Sequence, residues 1–243
     1  MVDIHCHILH KYDDGSASLA ESLKMARMAA DTGVTQMVVT PHFKGTASSL
    51  RSLSTLVERY RELQQAIARE NIPLTLHLGA EILCTEETLR LARQKLLPTI
   101  STTHYFLTEF FFDEDPGFMD EMLHDLSKAG YTPVVAHPER YDAIQRDPRI
   151  LEHWFRRGYV LQLNKGSILG TFGHRAERTA HGILRAGLAH VIASDAHSAT
   201  RRTTHMEGLI RWLDRHLDPE YVRILTVENP GRIIKGEPLV PVE

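Results

Sequence analysis

A closed barrel of seven parallel strands wrapped by helices, a (β/α)7 fold of the α/β class, is what this sequence predicts, and three observations predict it. Short β-branched or apolar runs recur at residues 2–6, 35–41, 74–80, 104–109, 132–137, 159–164 and 189–194. Between them lie segments with apolar residues three and four apart, so strand and helix alternate, which implies parallel strands joined by right-handed crossovers. Six of the seven runs end in a His, Glu or Asp. An open doubly wound sheet concentrates its site at one crevice, whereas a barrel gathers residues from the tips of nearly every strand, so this distribution favours closure, with the candidates on the C-terminal rim.

In the first run, Asp3, His5 and His7 alternate. Side chains at i and i+2 of a strand point the same way, which aims two imidazoles at one point. In a chain with 15 histidines, roughly one His-x-His arises by chance, so the pair gains weight only from ligand-type residues at the other strand ends. Ser18 and Glu21 form a capping-box pattern at the start of the first helix, and Gly33 suits its C-terminal cap. The second run leads to His42. A helix with Leu50, Leu53, Val57, Tyr60, Leu63 and Ile67 along one face precedes the third run, which leads to Glu81. The fourth ends at Glu109, the fifth at His137, and the last at Asp195 and His197. Helices closed by Gly130, Gly158 and Gly187 separate the later runs. Carboxylates such as Glu81 and Glu109 at buried strand ends need a counter-charge, and a divalent cation supplies one. The other histidines are assigned to surface or local packing.

Composition sets the background. A chain of 243 residues, 42% hydrophobic and 24% charged, with a formal charge of -3, suits one soluble domain over residues 1–243. The charge balance argues against a nucleic-acid partner, and no basic amphipathic or bilayer-length apolar segment argues for membrane insertion. A first strand expected from residue 2 leaves no room for a signal peptide, and Cys6 and Cys84 are too few for a disulfide scaffold, so a cytoplasmic protein with packed thiols is expected. No strand is followed by a glycine-rich phosphate loop, so the expected cofactor is metal.

The motifs Asp3-Ile4-His5-Cys6-His7-Ile8-Leu9, Asp13-Asp14-Gly15, Ala80-Glu81-Ile82, His137-Pro138-Glu139-Arg140-Tyr141, Leu161-Gln162-Leu163-Asn164-Lys165-Gly166-Ser167, Ser194-Asp195-Ala196-His197 and Glu228-Asn229-Pro230 resemble the polymerase and histidinol phosphatase (PHP) family. Within it they are similar to the CpsB/YwqE-type manganese-dependent protein-tyrosine phosphatases of bacterial polysaccharide operons, over essentially the whole chain. The resemblance implies a distorted seven-stranded barrel with three divalent ions on its rim, manganese first, with iron or zinc as alternatives. It implies His5, His7, Glu81 and Asp195 as ligands of the first ion. Glu81 would bridge to a second ion held by Glu109 and His137, and Asp14, His42 and His197 would hold the third. Arg140 and Arg202 resemble the family's phosphate clamps, Arg202 being preferred to Arg201 by its spacing from Asp195. The implied reaction is attack of a metal-bound hydroxide on phosphotyrosine, and the implied partner is the tail of a bacterial tyrosine autokinase that regulates capsule or exopolysaccharide synthesis.

Rival readings rest on other residues. Cys84 and Arg90 satisfy the Cys-x-x-x-x-x-Arg spacing of cysteine-dependent phosphatases, but the intervening Glu86 and Glu87 would repel phosphate, and Thr85 to Thr88 reads as a helix start. A small-metabolite phosphatase of the histidinol phosphate kind would use the same metals, and a noncatalytic phosphotyrosine-binding partner would use the same arginines. Phe110, Phe111 and Phe112 with Phe43 could wall a phenol ring or divide between core and rim. The chain departs from the family pattern at His10-Lys11-Tyr12, where Pro-Gly is common, and at Phe110-Phe111, where a proline is usual. The first departure borders Asp14, so a looser third ion is expected, with His10 placed to back it up as an outer ligand or hydrogen-bond partner. Asp13 is expected to cap the turn.

Overall fold

The computed structural model of the chain describes residues 1–242. Among these residues the seven anticipated runs form nine strand segments: β1 (Val2–Cys6), β2 (Gln36–Val39), β3 (His42–Phe43), β4 (Thr75–Leu78), β5 (Glu81–Leu83), β6 (Tyr105–Glu109), β7 (Thr132–Ala136), β8 (Val160–Asn164) and β9 (Val191–Ala193). All paired neighbours are parallel, in the orders β1-β2-β4 and β3-β5-β6-β7-β8-β9. The second and third runs are each broken in the middle. Pro41 has no N–H to give the ladder, so β2 stops before it and β3 resumes at His42, while β4 and β5 part at Gly79-Ala80. Glu81 N–H donates to Pro41 O at 3.1 Å and Gly79 N–H to Val39 O at 2.9 Å, carrying the two staves past the breaks. His42 and Glu81 therefore stand at the start of a second segment, not at the end of a single strand.

The ring closes between β9 and β1. Cys6 bridges Ala196 in parallel, Asp195 N–H donates to His5 O at 2.8 Å, and His7 N–H donates to Ala196 O at 2.8 Å. Seven staves thus make the expected barrel. Val2, Ile4, Val38, Leu107, Val134, Ala136, Val160, Val191 and Ala193 form a compact buried cluster drawn from six of the segments, capped by Ile100, Ile233 and Ile234. These residues fill the barrel, and each large one contributes about 1.5–3 kcal/mol by burial. The alternate residues, such as Phe106, Val135, Leu161 and Ile192, pack outward against the helices.

The helices are α1 (Leu19–Asp31), α2 (Leu53–Arg69), α3 (Glu86–Arg93), α4 (Pro116–Lys128), α5 (Asp142–Arg146), α6 (Arg149–Arg156), α7 (Lys165–Ile168), α8 (His174–Arg185), α9 (Glu207–His216), α10 (Pro219–Arg223) and α11 (Asn229–Lys235). Ser18 caps α1 by accepting from Glu21 N–H at 3.2 Å, and Gly33 follows with φ 88°. Glu21 reaches back to Ala17 N–H rather than to the cap residue. Helix α2 begins at Leu53, because residues 49–52 form a 3-10 turn, and it buries Leu56 in place of Val57. Helix α11 closes the barrel floor through Ile233 and Ile234. No helix among the described residues is long and apolar enough to cross a membrane.

Candidate metal centre

Strand β1 and the residue after it deliver two imidazoles to one point: His5 Nε2 and His7 Nε2 lie 3.2 Å apart. Simple alternation does not place all three residues of the Asp3-x-His5-x-His7 pattern there. The register of β1 against β2 slips between Asp3 and Cys6, and Asp3 turns to accept from the N–H groups of His5 and Ser194. Cys6 packs in the outer core, as expected.

Glu81, buried at the head of β5, faces four imidazoles. Its Oε1 is 3.2 Å from His5 Nε2 and 2.9 Å from His137 Nε2, and its Oε2 is 3.2 Å from His7 Nε2 and 3.0 Å from His42 Nδ1. Glu109, ending β6, places Oε2 3.5 Å from His42 and Oε1 3.8 Å from His137. Asp195 Oδ1 is 3.6 Å from both His5 and His7 and 3.5 Å from His197. Asp14, more exposed, has Oδ1 3.4 Å from His42 Nε2 and 3.6 Å from His197 Nε2. Ligand atoms within 4.8 Å of one another gather as His5–His7–Glu81, as His42–Glu81–Glu109, and as His7–Asp14–His42–His197. Seven of the nine anticipated ligands fall within these groups, with His7, His42 and Glu81 each shared between two, while His137 reaches the centre through Glu81 and Asp195 through His5, His7 and His197. Two of the nine hold a left-handed backbone, His137 at φ 37° and Asp195 at φ 49°. For non-glycine residues this costs on the order of 1 kcal/mol each, a strain typical of functional sites.

Hydrogen-bond direction tests whether these residues fit a cation. The ionised Asp195 carboxylate can only accept, so Asn164 turns Nδ2 toward its Oδ2 and leaves Oδ1 to accept from Gln162 Nε2 at 2.9 Å. Gln162 Oε1 then accepts from His5 Nδ1 at 2.8 Å, which puts the proton on Nδ1. Asp13 Oδ2, 2.7 Å from His7 Nδ1, fixes the same tautomer there. Two Nε2 lone pairs thus face each other beside the Glu81 carboxylate, an arrangement that repels itself until a cation sits between them. Without one, protons take its place. Burial opposes charging His5, but Glu81 and Asp195 outweigh it and lift its pKa to about 9. For His42 burial is likewise outweighed, by Glu109 and Glu81, and the pKa rises to about 11. Burial and the neighbouring His7 push His197 down to about 3. Asp195 resists burial through His5 and Arg202, and is held at about 2. Imidazole and carboxylate donors with no thiolate suit manganese, iron or zinc.

The second oxygen of Asp195 faces the arginines. Arg202 Nη2 pairs closely with Oδ2, and Arg140 Nη1 lies 3.5 Å from it. The Arg140 guanidinium is sandwiched between Phe112 and Phe172, each ring centroid 4.4 Å away, and Phe172 also lies 5.3 Å from Arg202. Arg201 is exposed and does not join Asp195. The phenylalanines divide: Phe43 and Phe110 are buried in the core, whereas Phe111 and Phe112 are exposed at the rim. His10 turns to Glu62 of α2, at 3.2 Å, rather than to Asp14. Cys84 is buried with its thiol pKa pushed up by burial and Glu109, Thr85 caps α3, and Arg90 pairs with Glu87, so no cysteine nucleophile loop exists here.

Sequence reasoning gave no role to Gln162, Asn164 or Phe172 and only a turn to Asp13. Asp13 does accept from Gly15 N–H at 3.0 Å, but it also orients His7 and accepts from His42 N–H at 2.9 Å. Two amides alternating with apolar residues in a buried strand were a usable signal for Gln162 and Asn164. Phe172 lies in a loop and left none.

Known proteins resemble this chain in sequence and in fold. The tyrosine-protein phosphatase YwqE of Bacillus subtilis is 34% identical over 243 residues, covering 98% of this chain and 92% of that protein. The tyrosine-protein phosphatase CpsB of Streptococcus pneumoniae is 28% identical, covering 98% and 99%. A crystal structure from work on these two proteins, described as unique metal-dependent tyrosine phosphatases, matches with a TM-score of 0.87 at 31% identity over 99% of this chain and 96% of that one. The family model for capsular polysaccharide synthesis proteins, CpsB/CapC, matches residues 1–235, which span every residue of the centre. With its rim of histidines and carboxylates, its arginine pair and its barrel all inside that match, the chain belongs to the CpsB/CapC family of capsular polysaccharide synthesis.

Proposed function

We propose that this chain is a metal-dependent protein-tyrosine phosphatase, hydrolysing phosphotyrosine on a protein such as the tail of a bacterial tyrosine autokinase that controls capsule or exopolysaccharide synthesis. The observation that carries the reading is Asp195, whose Oδ1 faces His5 and His7 while its Oδ2 faces Arg140 and Arg202. Metal ligation and anion binding thereby meet at one carboxylate. Three ions are assigned, manganese by preference: His5, His7, Glu81 and Asp195 to the first, Glu81, Glu109 and His137 to the second, Asp14, His42 and His197 to the third. Such ions, when bound, lower the pKa of water and draw charge from phosphoryl oxygens.

The chain's own residues do the rest. Arg140 and Arg202 fork across phosphoryl oxygens and neutralise charge that develops in transfer. Stacking on Phe112 and Phe172 holds the Arg140 plane in place before substrate arrives. Gln162 and Asp13 keep the imidazoles of His5 and His7 in the tautomer that offers Nε2. The exposed Phe112, beside His137 at 6.0 Å between ring centroids, offers an apolar edge to a phenol ring. A phenolate leaves with a pKa of about 10, so the protein has little need of a strong general acid. Residues 1–243 act as one barrel domain in this reading. Its two thiols, both free, suit the reducing cytoplasm.

The test compares a phosphotyrosine peptide with histidinol phosphate, using metal-free protein resupplied with manganese and an EDTA control. Manganese-dependent cleavage of the peptide is expected. Preference for histidinol phosphate would overturn the substrate, and no turnover of either would leave the arginines as a binding device.

A further inference from the structure

Beside Phe172 lies a cavity of about 300 Å³, lined among others by Lys165, Arg201, Arg202, His205 and Arg211. No Asp or Glu is among its lining residues, although the chain has more acidic than basic residues, 31 against 28. These cations meet carboxylates only outside the lining, Asp195 at Arg202 and the exposed Glu207 near Arg211 and His205, and otherwise repel one another unless an anion or solvent screens them. Lys165, only 7% exposed, secures the floor by donating to the carbonyl oxygens of Thr203, which it meets closely, and of His205 at 3.2 Å. The buried Arg202 Nε has no partner among the described residues. Arg211 pairs only loosely, 3.6 Å from the exposed Glu207, which leaves it free to turn. Phe172 forms the wall shared with the metal centre through its contacts with Arg140 and Arg202. Gly166 makes that seat possible, since a Cβ there would lie 2.5 Å from the Phe172 ring.

We propose that this cavity is an anion subsite, which takes a second negatively charged group carried by the same substrate as the scissile phosphotyrosine: an acidic side chain or a second phosphotyrosine. The inference rests on the phosphatase reading above and specifies its substrate class. Because Arg202 borders both compartments, an anion in the cavity also competes with Asp195 for that guanidinium and couples the two sites. A neutral peptide or a bare aryl phosphate gains nothing from it.

The experiment uses manganese-loaded protein and four substrates: p-nitrophenyl phosphate and phosphotyrosine peptides with alanine flanks, aspartate flanks or a neighbouring phosphotyrosine. Wild type is expected to favour both anionic peptides over the neutral one by about fivefold or more in kcat/KM at low ionic strength, with the advantage shrinking in salt. The double variant Arg201→Ser, Arg211→Ser should bring that ratio near one while p-nitrophenyl phosphate turnover stays within about twofold of wild type. A preference for the doubly phosphorylated peptide alone would identify phosphate as the occupant, and for both peptides a general anion site. No preference in wild type, or a preference that survives the double variant, overturns the subsite. If none of the four is hydrolysed, the phosphatase reading fails separately, and fluorescence anisotropy of the same peptides then decides: equal binding to wild type and double variant sinks the cavity as well.

Discussion

Replacing Gln162 by leucine should weaken metal binding and stability together, for reasons that can be separated. In the folded protein Gln162 joins His5 Nδ1, at 2.8 Å, to Asn164 Oδ1, at 2.9 Å, and both neighbours are fully buried. Leucine fills similar volume but offers no polar atom, so the His5 Nδ1–H and the Asn164 carbonyl each lose a partner. An orphaned buried group costs about 1–3 kcal/mol, which gives a stability loss of about 2–6 kcal/mol for the pair. Freed from its acceptor, His5 loses its enforced tautomer, and metal affinity should drop about 10- to 100-fold, or about 1.4–2.7 kcal/mol. Gln162→Glu separates the effects. Its carboxylate still accepts from His5 and should keep metal affinity within about threefold of wild type, but it faces Asn164 Oδ1 with no donor and should lower stability. Calorimetric titration of metal-free protein with manganese, beside chemical denaturation of each variant, reads both quantities. A leucine variant that binds manganese as tightly as wild type, or a glutamate variant that loses affinity as severely as leucine, would refute the tautomer argument.

Other perturbations draw on the same geometry. Glu81→Gln removes the one carboxylate within 3.2 Å of four imidazoles, so turnover of a phosphotyrosine peptide should fall by roughly 10³-fold or more and metal content should drop; near-normal rates would contradict the proposed role of Glu81. Cys84→Ser should leave kcat within about twofold, because the thiol is buried and far above its usual range, and steady-state kinetics at saturating manganese checks this. Gly15→Ala would set a Cβ 2.1 Å from His7 O, displacing the Asp13-Asp14 turn, so bound metal measured by elemental analysis should decline most in the outer group. Stability should also depend on His190, which stacks on Phe155 and whose pKa burial depresses to about 4. Its folded value lies below the unfolded value of about 6.5, so its contribution is complete above that pH and is lost as pH falls toward 4. Allowing for partial exposure, about 2 kcal/mol is at stake, and His190→Gln should flatten the slope of denaturation midpoint against pH in that window; an unchanged slope would assign the acid sensitivity elsewhere.

Much of the architecture was legible because period is a local property. The runs at 104–109, 132–137 and 159–164 became β6, β7 and β8 almost unchanged, Ser18 caps α1 where its spacing to Glu21 said it would, and the stretch from Thr85 to Thr88, read as a helix start, opens α3. The breaks at Pro41 and Gly79-Ala80 were harder, since each interrupted run still reads as one stave and only neighbouring pairing reveals where the ladder resumes. Residue type and strand-end position likewise marked eight of the nine residues that converge on the rim, because few other arrangements keep so many imidazoles and carboxylates at buried strand ends; Asp14, in a turn, was given only by the family resemblance.

By itself, then, the sequence pointed to the alternation of strands and helices, to a barrel through the spread of ligand-type residues over its strand ends, and to the strand-end donors at its mouth, through chain-local periodicity and residue chemistry. Only the tertiary structure decided how those donors are shared and aimed. His137 enters the centre through a left-handed backbone, Asp3 leaves it through a slipped register, and His42 stands between two groups. The tautomer of His5 is set from Asp195 through Asn164 and Gln162, two amides of a different strand from either. Phe172 reaches the arginines because Gly166 leaves it room. Each of these depends on distances between segments far apart in the chain, and hydrogen-bond direction and close packing exist only once those segments meet.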